Sequence, residues 1–126
     1  MNIIYNFDDL KLLLSDKSNE GAYYLLYDED YFEEIEKGTV INREVYTIAK
    51  RIMKPLNIIK YITFNVKDTY TTKQIYDLVK ILRKNTVIIA TIFNPKTKEV
   101  CLLFISNKDD SLLEYHIKIF LELEDI

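Results

Sequence analysis

The sequence predicts an α/β domain in which buried strands form a sheet with helices above and below it. Three observations lead there. Four short segments, 22–27, 58–66, 86–93 and 100–106, are apolar almost throughout, as strands buried on both faces are, whereas half-exposed strands alternate. The segments between them repeat apolar residues at i, i+3, i+4 and i+7, the stripe of an amphipathic helix. Only two glycines and two prolines interrupt 126 residues, which leaves little chain for irregular structure. That length suits a single domain spanning residues 1–126. The expected architecture is a three-layer α-β-α sandwich around a four-stranded mixed sheet. The alternative is a small doubly wound sheet of three parallel strands plus an antiparallel edge, joined by right-handed crossovers.

The elements follow in order. Residues 6–16 predict a helix with Asn6 as N-cap and Leu10, Leu13 and Leu14 on one face. The strand at 22–27 leads into Asp28-Glu29-Asp30, then a short helix to Lys37, with Asp30 and Glu33 at capping-box spacing and Gly38 as its stop. A helix over 43–54 runs up to Pro55, and 58–66 is the second strand. Thr71 and Gln74 open a helix over 71–84 with a second capping-box pattern. The strands at 86–93 and 100–106 are separated by Asn94-Pro95-Lys96-Thr97-Lys98, a turn that predicts an antiparallel hairpin. Residues 109–122 form the closing helix, with Ser111 and Glu114 again at capping-box spacing. The segment 42–65 echoes 72–94: Val45, Ile48, Ala49 and Ile52 correspond to Ile75, Leu78, Val79 and Leu82. Convergence of two amphipathic helices feeding buried strands is the simpler source of this, an internal repeat the other, though repeat architectures need at least three copies.

The order strand, helices, strand, helix, hairpin, helix is similar to the thioredoxin fold. The run from Thr91 to Val100 followed by a helix looks like that fold's closing hairpin and C-terminal helix, and the Phe7-Asp8-Asp9-Leu10 helix fits ahead of its first core strand. The family's redox pair of cysteines would follow the first strand, where this chain has Asp28-Glu29-Asp30-Tyr31-Phe32-Glu33. The family's proline ahead of the hairpin has no counterpart in 84–90. Thiol–disulfide exchange needs a thiolate, so the resemblance implies a non-redox member.

Cys101 is the only cysteine, which excludes an intramolecular disulfide. The N-terminus lacks a basic region followed by an apolar one, and the longest uncharged run, 85–95, is far short of the ~20 residues that span a bilayer. A cytoplasmic protein is expected. Abundant Ile, Lys, Tyr and Glu beside a single Gln and a single Cys fit a thermophile, and fit an AT-rich genome as well.

No cofactor motif is present, and the candidate sites are constellations. Asp28 and Asp30 follow a buried strand and Asp68 follows the next, so the three carboxylates are candidate ligands for a hard cation such as Mg²⁺, with Asn65 and Asn94 nearby. Helix capping is the simpler role for such aspartates. His116 lacks a nucleophile or second histidine to work with, and Cys101 sits among Val100, Leu102 and Leu103 as a small buried hydrophobe. Charge is segregated: net −7 over residues 1–40, +8 over 41–100 and −4 over 101–126. Arg43, Lys50 and Lys54 line one basic helix face and Lys73, Lys80 and Lys84 another. They are candidates for a nucleic acid or other polyanion, or for pairing with the acidic segments. The last helix is apolar around well over half its circumference, and Leu112, His116, Ile119, Phe120 and Leu123 are the candidate oligomer interface.

These observations favour a non-catalytic interaction or scaffold domain that self-associates as a dimer. A polyanion binder using the basic faces is the first alternative. A metal-dependent phosphoryl or nucleotide enzyme at the strand ends is the second.

Overall fold

The computed structural model describes residues 2–37, 41–107 and 109–123. Its elements are β1 (Asn2–Ile4), α1 (Phe7–Lys17), β2 (Tyr23–Leu26), β3 (Glu33–Glu34), α2 (Asn42–Ile52), β4 (Ile59–Asn65), α3 (Thr72–Leu82), β5 (Val87–Asn94), β6 (Glu99–Ile105) and α4 (Ser111–Leu123). The strands form one six-stranded sheet in the order β1-β4-β6-β5-β2-β3, and each neighbouring pair is antiparallel. This corrects the four-stranded mixed sheet, and the three parallel strands of the alternative. An apolar run on a strand reports cover on both faces, not direction, and here an antiparallel sheet is covered on both.

The cover is helical. Leu10, Leu13 and Leu14 of α1, with Val45, Ile48 and Ala49 of α2, pack on one face of the sheet over Ile92, Cys101 and Leu103. Ile75, Leu78, Val79 and Leu82 of α3, with Leu113 and Ile117 of α4, pack on the other over Val100, Leu102 and Phe104. The two echoing segments therefore place their helices on opposite faces. In β5 an extra residue at Ile89, between the pairs Ile88↔Phe104 and Ala90↔Leu103, switches the strand's alternation. Ile88 joins the α3–α4 side, and both Ile89 and Ala90 join the α1–α2 side.

Local chemistry sets several ends. The Asn6 side chain accepts from the Asp9 N–H (2.9 Å), and Thr71 and Gln74 form the reciprocal capping box. Asn94 Oδ1 accepts from the N–H groups of Lys96 (2.9 Å) and Thr97 (3.3 Å), closing the hairpin turn. The expected helix over 30–37 is absent. Glu33–Glu34 instead pairs with β2, the Ile35 N–H donates to the Ala22 carbonyl (2.6 Å), and Ile35 is buried in the core. Sheet pairing and burial of Ile35 outweigh the weak local preference for a capped helix. Gly38, expected to stop that helix, lies outside the described residues.

The start of α4 is tied down by a residue other than the expected one. Asp110, buried, accepts from Ser106 Oγ (2.7 Å), Lys60 Nζ (3.0 Å) and the Asn107 N–H (3.0 Å). Burial pushes its carboxyl up, but the hydroxyl of Ser106, the Lys60 ammonium and the Asn107 N–H together hold it below its ordinary 3.8. A carboxyl depressed in the folded state stabilises above its unfolded pKa, and that stability is lost as pH falls through the folded value. Asp110→Asn is expected to cost roughly 2–3 kcal/mol at neutral pH, because Lys60 keeps a half-buried charge without its counter-ion. Urea unfolding across pH checks this: the variant's stability should fall less than the wild type's below pH 3.8.

Thr91 sits at the middle of the sheet, fully buried between its cross-strand neighbours Leu25 and Leu102. Its hydroxyl has no hydrogen-bond partner among the described residues. Replacing it by the isosteric Thr91→Val removes an unsatisfied polar atom and is expected to raise the unfolding free energy by about 1 kcal/mol.

Candidate interaction site

The expected ligand set is divided by the topology. β2 and β4 run in opposite directions in the sheet, so Asp28 and Asp30 leave one end of it and Asp68 the other. Asn65 and Asn94 do share an end, both in register with Glu99. Asp28 lies 4.0 Å from the Arg51 guanidinium, and Asp30 accepts from the Tyr76 hydroxyl (3.4 Å). Among the described residues no group of three His, Cys, Asp or Glu side chains could hold a metal. The structure does not bring Asp28, Asp30 and Asp68 together as one set, because antiparallel strands send consecutive strand ends to opposite sides.

The basic faces are divided as well. Arg43, Lys50 and Lys54 belong to α2 and its C-terminal flank, Lys73, Lys80 and Lys84 to α3 and its flank, and all six are exposed. The helices cover opposite faces of the sheet, so the two stripes do not form a single surface. Part of the positive charge is met internally. The Arg83 guanidinium donates to the carbonyls of Glu29 (2.9 Å) and Leu26 (3.0 Å), fastening the acidic 28–30 segment to α3.

On α4, Phe120 packs against the α3–α4 core, with its ring 5.2 Å from that of Tyr70. It is half-buried, with part of its ring in that core. Leu112 is exposed, while His116 and Ile119 are half-buried; the Leu123 side chain lies outside the described residues. Cys101 is buried, and burial pushes its thiol up to about 12, so it carries no thiolate at neutral pH.

The α1–α2 layer carries several clefts. Clefts of about 260 to 630 Å³ each border α1 or α2. The most apolar of them in setting, about 310 Å³, opens where β1 turns into α1 beside the end of α2, with Ile4, Phe7, Leu10, Ala49, Met53 and Ile59 in its lining. Tyr5, which also lines it, is 80% exposed, and Phe7 and Ile58 are about half exposed. Asn6, Lys50 and Asn57 supply the polar groups.

The turn Lys54-Pro55-Leu56-Asn57 borders this cleft through Asn57. The Asn57 N–H donates to the Lys54 carbonyl (3.1 Å), and Asn57 Oδ1 accepts from the Lys54 N–H (2.7 Å). Pro55 occupies the second turn position and Leu56 the third, with φ +73°, where such turns favour glycine or asparagine. Leu56 is 100% exposed. A leucine in the left-handed region is strained by about 1–2 kcal/mol, and its exposed side chain does nothing to offset that. In the sequence Pro55 signals the end of α2; nothing marks the leucine after it as the tip of a turn.

Compared with family models, with curated proteins and with solved structures, the chain matches none of them. Among the described residues no helix is long and apolar enough to cross a membrane.

Leu56→Gly relieves the left-handed strain and is expected to raise the stability of the isolated chain by roughly 0.5–1 kcal/mol, the gain being reduced by the greater freedom of glycine when unfolded. Urea unfolding in dilute solution checks it; a loss of stability would mean that the leucine is held by contacts within its own chain.

Proposed function

We propose that this chain is a non-catalytic interaction domain that self-associates as a symmetric dimer through the cleft between α1 and α2, with Leu56 of each copy entering the cleft of the other. The observation that carries this is Leu56 itself: a fully exposed apolar side chain on a strained turn beside an apolar cavity. A knob and a hole on one surface are self-complementary, as a two-fold interface requires. Burying one leucine contributes roughly 1.5–3 kcal/mol, and a two-fold dimer gains this in both copies, against about 1–2 kcal/mol of turn strain in each. The scattering of Asp28, Asp30 and Asp68 over both sheet ends, and the raised Cys101 thiol, support a role in binding over one in catalysis.

The mass in solution tests it. The wild type at about 100 µM should sediment as a dimer, while Leu56→Asp and Leu56→Gly should both sediment as monomers. The glycine variant is the sharper arm, since it is expected to be more stable as a chain and yet unable to associate. Tyr115→Asp, on the exposed side of α4, should leave the dimer intact. A monomeric wild type contradicts the proposal, and so does a dimer that survives at Leu56 but is lost at Tyr115, which would assign the interface to α4.

A further inference from the structure

We infer that the cleft between the start of α1 and the end of α2 is also a ligand site, taking a small apolar monocarboxylate such as a medium-chain fatty acid. Leu10, Ala49 and Ile59 are the buried part of its lining, and Ile4, Phe7 and Met53 stand around them. A cavity of about 310 Å³ walled mainly by apolar side chains, with a few polar groups among them, has the size and make-up of a small-molecule site.

The polar groups select the ligand's head. Lys50 is the only charged residue of the lining. Its ammonium lies 5.3 Å from the centre of the Tyr46 ring and makes no ion pair among the described residues. The other clefts bordering α1 or α2 each include a carboxylate: Asp16 in two of them, Asp8 and Asp28 in the others. Asn6 and Asn57 also line the cleft. Asn6 Oδ1 is taken by the Asp9 N–H (2.9 Å) and Asn57 Oδ1 by the Lys54 N–H (2.7 Å). What each has left to offer is chiefly its amide N–H groups, which donate as the lysine does. α1 starts here and α2 ends here, so their dipoles oppose each other and Lys50 sets the sign of the site. A cation, a set of donors and an apolar wall match a carboxylate that carries a hydrocarbon tail. A cationic amphiphile is repelled, and a carboxylate without a tail leaves the wall unused.

Under the dimer proposed above, Leu56 of a second copy enters this same cleft. On that reading the carboxylate competes with the leucine and disperses the dimer. The site lies within one chain and does not depend on the dimer; the competition does.

The probe is octanoate, titrated by NMR into Leu56→Gly, in which no second leucine contests the cleft. A Kd on the order of 100 µM is expected, with shifts concentrated at Leu10, Ala49, Met53 and Ile59. Octylammonium should bind at least ~10-fold more weakly, and acetate not at all. Lys50→Gln should weaken octanoate by ~5-fold and leave 1-octanol unchanged, and the difference should shrink as salt is raised. No octanoate binding at millimolar ligand overturns the inference. So does equal binding of octylammonium, or a set of octanoate shifts that lies away from the cleft. Sedimentation of the wild type at about 100 µM keeps the two proposals apart: octanoate should convert its dimer to a monomer. A dimer that keeps its mass with the cleft occupied overturns the competition. A wild type that is monomeric without ligand removes the dimer and the competition with it, while the titration of Leu56→Gly still decides the site.

Discussion

β6 is the constraint on which the rest of the molecule depends. Val100 to Ile105 are all buried, with neighbours on both edges and side chains directed into both cores. A strand so enclosed requires a partner strand on each side and a helical layer on each face. β4 and β5 supply the first and run the same way on either side of it. α1 and α2 supply one layer, α3 and α4 the other. Once these are in place, β2 can only add outside β5 and β1 outside β4, and the chain's remaining backbone forms the two edges.

Those edges are handled differently. β3 is two residues long, both glutamates, and Tyr24 donates its hydroxyl to Glu33 (2.8 Å). A short, charged edge resists pairing with other chains. β1 is short as well, lying opposite Ile59 to Tyr61 of the seven-residue β4, and the α1–α2 layer above it has the clefts. On the opposite face α3 and α4 close over the sheet with the Tyr70 and Phe120 rings in contact. The Leu56 turn borders one of the clefts of the α1–α2 layer.

Much of this was legible in the sequence where the signal is local and repeated. The stripes of α2 and α3, the Asn6 cap, the Thr71–Gln74 box and the turn after Asn94 each depend on a few neighbouring residues, and each is present. Outside the β5–β6 hairpin, whose turn sets it, strand direction is not legible, because burial on both faces produces the same apolar run in parallel and antiparallel sheets. The segment 30–37 reads as a helix because Asp30 and Glu33 mimic a helix start, while Ile35, which decides the matter, takes core partners from far along the chain. The grouping of Asp28 with Asp68 failed for the same cause: it depended on strand direction. Leu56 was invisible since its importance comes from a φ angle and an exposure that no residue pattern encodes.

We propose that Leu56 is strained and bare in one copy because it packs against another. An isotope-mixed sample, half the molecules carrying labelled methyl groups and half unlabelled, tests this through intermolecular NOEs. The account predicts contacts from the Leu56 methyls of one copy to Met53 and Leu10 of the other, disappearing on dilution. NOEs confined to single molecules at high concentration, or intermolecular ones that arise from Tyr115 and Leu112 alone, would contradict it.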